Sequence, residues 1–126
     1  MKKIVRGAIY YADLDPTVVS EEKGCRPVVI LQNNIGNKFS TTTLIAPIST
    51  KNYKGKTQPT HIEIKQLENI RPGSILLLEQ IRTIDKVRIK GFIDYLNEEQ
   101  MKMVDKALMI SLGLTSKKKE ENNCED

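Results

Sequence analysis

Tryptophan is absent from the 126 residues, histidine occurs once (His61) and cysteine twice (Cys25 and Cys124). One imidazole excludes catalysis by a pair of histidines. One His with two distant Cys makes no tetrahedral zinc site unless carboxylates join it. The thiols also lack the spacing of a secreted disulfide framework, which points to a reducing cytoplasm. No apolar run reaches the length of a membrane span, and the basic start Met1-Lys2-Lys3 leads into no signal-type apolar stretch, so no membrane association is expected. The seven glycines stand singly, which excludes a Gly-rich phosphate loop. Six aromatics offer little base stacking, and most of them are expected in the core. Arg, Lys, hydroxyls and carboxylates remain to carry any chemistry, with no metal and no cofactor.

The net charge of +4 is unevenly placed. Residues 1–56 hold nine bases against four acids, and residues 57–114 hold eight of each. Residues 115–126 add three lysines and four acids. The whole excess therefore sits in the first half, where it favours a polyanionic partner through phosphate contacts.

The first two-thirds of the chain reads as short strands. Residues 9–14 stop at Asp15-Pro16, which opens a turn. Residues 27–32 and 42–48 are continuous apolar or β-branched runs, as strands buried on both faces require. Between them, residues 33–38 carry turn chemistry. Residues 60–64 alternate as a half-exposed strand, Pro72-Gly73 turns the chain into residues 74–78, and strand-like runs follow near 79–85 and 89–96. The period then changes. Asn97 and Gln100 form a capping box, and Met101, Val104, Leu108 and Leu112 recur at helical spacing, with the methionines as core filler. Residues 115–126 are expected to be a disordered polar tail. Five to seven short strands with one terminal helix predict a mainly β fold, a single small SH3-like barrel over residues 1–114 with a C-terminal amphipathic helix.

Three polar features end buried strands. Arg26 stands between a polar loop and a rigid strand, where its guanidinium either binds a phosphate or pairs with Glu21 or Glu22. Ser49 and Thr50 end an apolar run at the barrel rim, ahead of Lys51, Lys54 and Lys56; they either donate to a phosphate or mark a turn with a solvated lysine loop. Glu79-Gln80 either reads a base edge or forms the polar rim of a turn.

Taken together with their spacing, these features carry a resemblance. The stretch from Val5 to Pro16 looks like the opening of the MazF/PemK-type toxins of type II toxin-antitoxin systems. Arg26-Pro27-Val28-Val29-Ile30-Leu31-Gln32-Asn33, with Asn37 four residues on, is similar to that family's Arg-Pro-Val core. Residues 59–64, 78–86 and 107–114 follow in matching order and spacing, so the resemblance spans residues 5–114. It implies a CcdB/PemK-like barrel acting as a sequence-specific, metal-independent endoribonuclease, or mRNA interferase, on single-stranded RNA. Attack by the ribose 2′-hydroxyl would leave a 2′,3′-cyclic phosphate and a 5′-hydroxyl, inhibiting translation. It further implies a homodimer, neutralised by a cognate MazE-like antitoxin through a flexible acidic tail.

Carried over residue by residue, Arg26 corresponds to the family's catalytic arginine and Ser49 stands where the family commonly has a catalytic threonine, keeping the hydroxyl and losing the methyl. Ser20, Glu21, Thr50, Lys51 and Gln80 are the expected RNA contacts. The loop departs from the family's Gly-Ser-Glu-Gln-Gly-Gly, reading Val19-Ser20-Glu21-Glu22-Lys23-Gly24; two lost glycines narrow its conformations and Lys23 adds a charge. Two other classes compete: a non-catalytic gyrase poison of the CcdB kind, disfavoured by the missing Trp, and a nucleic-acid-binding barrel without activity.

Overall fold

The computed structural model describes residues 3–14, 24–50, 58–65 and 67–114. The expected contacts Ser20, Glu21 and Lys51 and the expected tail at 115–126 lie outside these residues. The elements run β1 (Ala8–Asp13), β2 (Cys25–Ile30), α1 (Asn34–Phe39), β3 (Thr42–Ser49), β4 (His61–Glu63), β5 (Ile75–Leu77), β6 (Arg82–Asp85), a 3-10 turn (Lys86–Arg88), β7 (Ile89–Tyr95) and α2 (Glu98–Ser111). All pairings are antiparallel, in the order β4-β5-β3-β2-β1-β7, with β6 also on β3. The mainly β fold with a C-terminal helix is as expected.

Strand β3 organises the sheet. One edge pairs with β2 from Val28↔Pro47 to Ile30↔Ile45. The other edge is shared: β6 takes its beginning, from Thr42↔Asp85 to Ile45↔Arg82, and β5 takes its end, at Ile48↔Leu76 and Ser49↔Ile75. Alternate residues of β1, β2 and β3 feed two apolar clusters on opposite faces. Ile9, Val29, Ala46 and Ile48 belong to one; Ala8, Tyr10, Val28, Ile30 and Ile45 belong to the other. Burial on both faces is the reason these strands are nearly continuous apolar runs.

Helix α2 covers the first cluster with Val104 and Ala107, while Met101 and Leu108 pack at its margin. Asn97 caps it as expected: its side chain accepts from the Gln100 amide at 2.7 Å, and the Gln100 side chain accepts from the Asn97 amide at 2.8 Å. Arg6 ties this helix to the barrel. Its Nε donates to the Leu31 carbonyl and its Nη2 to Asp105, both at 2.8 Å. Gly7 sits at φ 93° between the Ile30 carbonyl and the Leu96 amide, and a Cβ there would lie 3.2 Å from Met101 Sδ. Both the left-handed backbone and the close helix demand glycine.

Three expectations are corrected. Residues 34–39 form a short helix where only turn chemistry was expected. Asn33 caps it by accepting from the Gly36 amide, and buried Asn37 locks it in place. Of the described aromatics only Tyr10 is fully buried; Phe92 is half-buried, and Tyr11, Phe39 and Tyr95 are exposed. Met103 and Met109 are likewise exposed, so Met101 alone of the described methionines packs against the core.

The Asn37 side chain donates to the Gln32 carbonyl at 2.8 Å and accepts from Thr43 Oγ1 at 2.7 Å and Gln32 Nε2 at 3.1 Å. Replacing it with Ala strands the buried Thr43 hydroxyl, and a cost of about 2–3 kcal/mol in urea unfolding is expected; an unchanged midpoint would dismiss the network as decorative. Burial, aided by nearby Tyr95, raises the Tyr10 phenol above its usual pKa. Because the fold favours the neutral phenol, Tyr10's contribution to stability is complete below about pH 10 and declines as pH rises through the raised value. As pH rises above about 10, Tyr10→Phe should lose less stability than wild type, read as the shift of the urea-unfolding midpoint.

Candidate active site

The two expected catalytic residues stand at the ends of paired strands, just beyond the last β2–β3 pair, Val28↔Pro47. Continuing the ladder two residues past Val28↔Pro47 sets Arg26 opposite Ser49. The strand period of two places Arg26 on the face of Val28 and Ile30, and Ser49 on the face of Pro47 and Ile45. On its other edge Arg26 pairs with Ala12 of β1. Its backbone is thus fixed to β1 while its half-buried side chain lies at the sheet's end.

Ser49 departs from expectation. As the end of a core strand its hydroxyl was expected on the open rim, yet Ser49 is 0% exposed, because β3 is flanked to its last residue by the Ile75 pairing with β5. The exposed hydroxyl is that of Thr50, one residue on. Gln80 is half-buried in the connection from β5 to β6, its amide donating to the Leu77 carbonyl at 3.2 Å. The turn reading of Glu79-Gln80 therefore describes the backbone, and it leaves both side chains at the sheet's edge.

Two groups went unnoticed in the sequence. Arg82 Nη1 donates to the Leu14 carbonyl at 3.1 Å and Arg88 Nη1 to the Asp13 carbonyl at 3.2 Å. Arg82 pairs with Ile45, which pairs with Ile30, so it shares the face of Arg26 and Ser49. Three arginines from three elements thus gather around the end of β1. The second group is built on His61. Its ring, 6% exposed, makes a 2.8 Å bond from Nε2 to Glu79 Oε2, and Thr60 Oγ1 donates to Glu79 Oε1 at 2.9 Å. The β4–β5 pairing His61↔Leu77 brings these residues together although 18 positions separate His61 from Glu79. The alternation around His61 was the available signal; it placed the ring on a face but not against a partner.

A half-buried guanidinium held at the end of a strand suits a phosphodiester. Arg offers paired donors in a fork that matches two phosphate oxygens. Among the described residues no three His, Cys, Asp or Glu side chains converge as a metal site. Glu79→Ala removes the acceptor facing a nearly buried imidazole and should lower stability by about 1–2 kcal/mol. An identical denaturation midpoint in the variant would show that Glu79 does not hold His61 and Thr60 in solution.

Residues 5–112 match the family described as the PemK-like, MazF-like toxin of type II toxin-antitoxin system. Endoribonuclease EndoA of Bacillus subtilis (strain 168) is 49% identical over 112 residues, which cover 88% of this chain and 96% of that protein. Among solved structures, an endoribonuclease in complex with its cognate antitoxin from Mycobacterial species has a TM-score of 0.75 at 21% identity, covering 90% of this chain and 98% of that one. MazF from Deinococcus radiodurans also reaches 0.75, at 18% identity, with 90% and 99% covered. The structural likenesses establish the fold, and the sequence matches establish kinship. The chain belongs to the PemK-like, MazF-like toxins of type II toxin-antitoxin systems.

Proposed function

We propose that the chain is a sequence-specific endoribonuclease toxin that cleaves single-stranded RNA, mRNA included, without a metal ion, and so inhibits translation. The observation that carries the assignment to particular residues is the register that sets Arg26 opposite Ser49. In the reaction, the 2′-oxygen forms a bond to phosphorus and the bond from phosphorus to the 5′-oxygen breaks. A proton leaves the 2′-hydroxyl and one arrives on the departing 5′-oxygen. The products are a 2′,3′-cyclic phosphate and a 5′-hydroxyl, with no water consumed in the step. Because the substrate supplies the nucleophile, the protein must mainly position the phosphate and stabilise the added charge of its pentacoordinate state.

Arg26 fits that role as a cation whose backbone is anchored by its pairing with Ala12 of β1. Its charge persists at any ordinary pH, so it acts by electrostatics rather than as a free base. Ser49 supplies a hydroxyl from the paired strand, and Thr50 a second, outward one. Ser20, Glu21, Lys51 and Gln80 contact the RNA on either side. The protein works in the cytoplasm as a homodimer, and a cognate antitoxin neutralises it by laying a flexible acidic tail in the RNA groove; the mycobacterial endoribonuclease of the same fold is itself held in complex with its cognate antitoxin.

Purified protein should cut long single-stranded RNA at a short recurring sequence in the presence of EDTA, leaving 5′-hydroxyl ends. Arg26→Ala should lower the rate by about 100-fold or more. Intact RNA, or equal cutting by the variant, would sink the reading.

A further inference from the structure

The charge excess of the first half does not all lie at the catalytic end of the barrel. Lys3, Lys38 and Lys86 line one cavity of about 590 Å³ beside α1, and none of the residues lining it is acidic. Its position is opposite to that of Arg26 along the strands. The 3-10 turn that begins with Lys86 follows the Thr42↔Asp85 pair at the start of β3, whereas Ser49 ends that strand. Seven residues of extended chain separate the two ends, about 23 Å.

The cavity is walled by pinned groups. Lys86 donates from its amide to the Thr41 carbonyl at 3.0 Å and from Nζ to the Asn37 carbonyl. The Lys3 carbonyl accepts from Tyr10 Oη at 3.0 Å, and the Arg6 amide donates to Asn34 Oδ1 at 2.8 Å. Half-buried Ile4 and Val5 complete the lining. On α1, Ile35 and Phe39 are each 75% exposed, and Lys38 Nζ lies 5.4 Å from the Phe39 ring centroid.

Three ammonium groups around one cavity with no carboxylate in its wall repel one another, and an anion relieves that repulsion. An exposed ring beside them adds a stacking platform. Cationic side chains with an aromatic face are what a single nucleic-acid strand requires, through phosphate contacts and base stacking. A peptide carboxylate would use the lysines but not the platform.

We propose that this cavity is a second RNA-binding site, an exosite that holds phosphates of the substrate outside the segment being cut. The inference rests on the reading of the chain as a single-strand endoribonuclease. It predicts that the exosite acts only on substrates long enough to span from the catalytic end to α1.

The test uses the full chain with Lys3→Glu and Lys38→Glu combined, leaving Lys86 to hold Asn37. A control carries Lys102→Glu and Lys106→Glu, two exposed lysines of α2. Two RNAs are compared: a short oligonucleotide holding only the cut sequence mapped for the wild type, and the same sequence with long flanks on both sides. The expected result is a rise in KM of about tenfold for the flanked RNA at low salt, with kcat unchanged and the short RNA cut as by wild type. Binding of the flanked RNA with 2′-deoxyribose at the cut position should lose about 1.4 from its salt slope, at about 0.7 per released phosphate contact. Equal effects on both RNAs, or the same loss in the control, would overturn the exosite. So would intact RNA binding with weakened antitoxin inhibition, which would assign the cavity to an acidic peptide, or with a changed mass in solution, which would assign it to a second copy of the chain. Failure of the wild type to cut either RNA would instead overturn the endoribonuclease reading itself.

Discussion

The two-sided hydrogen bonding of β3 is the constraint on which the rest of the architecture depends. A strand buried on both faces has no water to satisfy its amides and carbonyls, so each edge must find backbone partners. β2 supplies one edge from Val28 to Ile30. β6 and then β5 supply the other, from Thr42 to Ile45 and from Ile48 to Ser49. The chain must therefore leave β5 and rejoin the same edge as β6, and the crossing at residues 78–81 places Glu79 and Gln80 at the sheet's edge. The ladder that satisfies β3 ends at Val28↔Pro47, two residues short of Arg26 on one strand and of Ser49 on the other. The same bonds that satisfy β3 thus fix where its last residues and the start of β2 lie.

How much of this could be read from residues alone depends on how local the cause was. The runs at 27–32 and 42–48 announced buried strands because burial on two faces leaves its mark on every position. Asn97 and Gln100 announced α2 because a capping box acts over three residues. Helix α1 gave no such notice: its one apolar pair, Ile35 and Phe39, is exposed rather than packed, and Asn33, Gln32 and Thr43 hold it through side-chain bonds. The burial of Ser49 follows from Ile75, which lies 26 positions away, and no local pattern reports that. The same holds for His61 and Glu79, and for Arg82 and Arg88, whose partners at Leu14 and Asp13 are 68 and 75 positions distant.

Charge followed the same rule. Counting bases located an excess in residues 1–56, and proximity in sequence suggested that it served Arg26 and the lysines after Thr50. The fold divides it instead. Lys3 and Lys38 are carried to the α1 end, where Lys86 from the balanced second half joins them. A linear tally gives the sign of the partner, whereas the pairing of β3 with β6 decides where that partner meets the surface.

The pairing of β1 with β7 has a temporal consequence. Ala8 meets Tyr95, and Arg6 reaches Asp105 of helix α2, so the first strand stays unpaired on one edge until β7 exists. On a ribosome that releases residues one at a time, the barrel cannot close around its core before β7 and α2 have been made. A member of this toxin family is thereby left unfinished until its last strand and helix can close on its first.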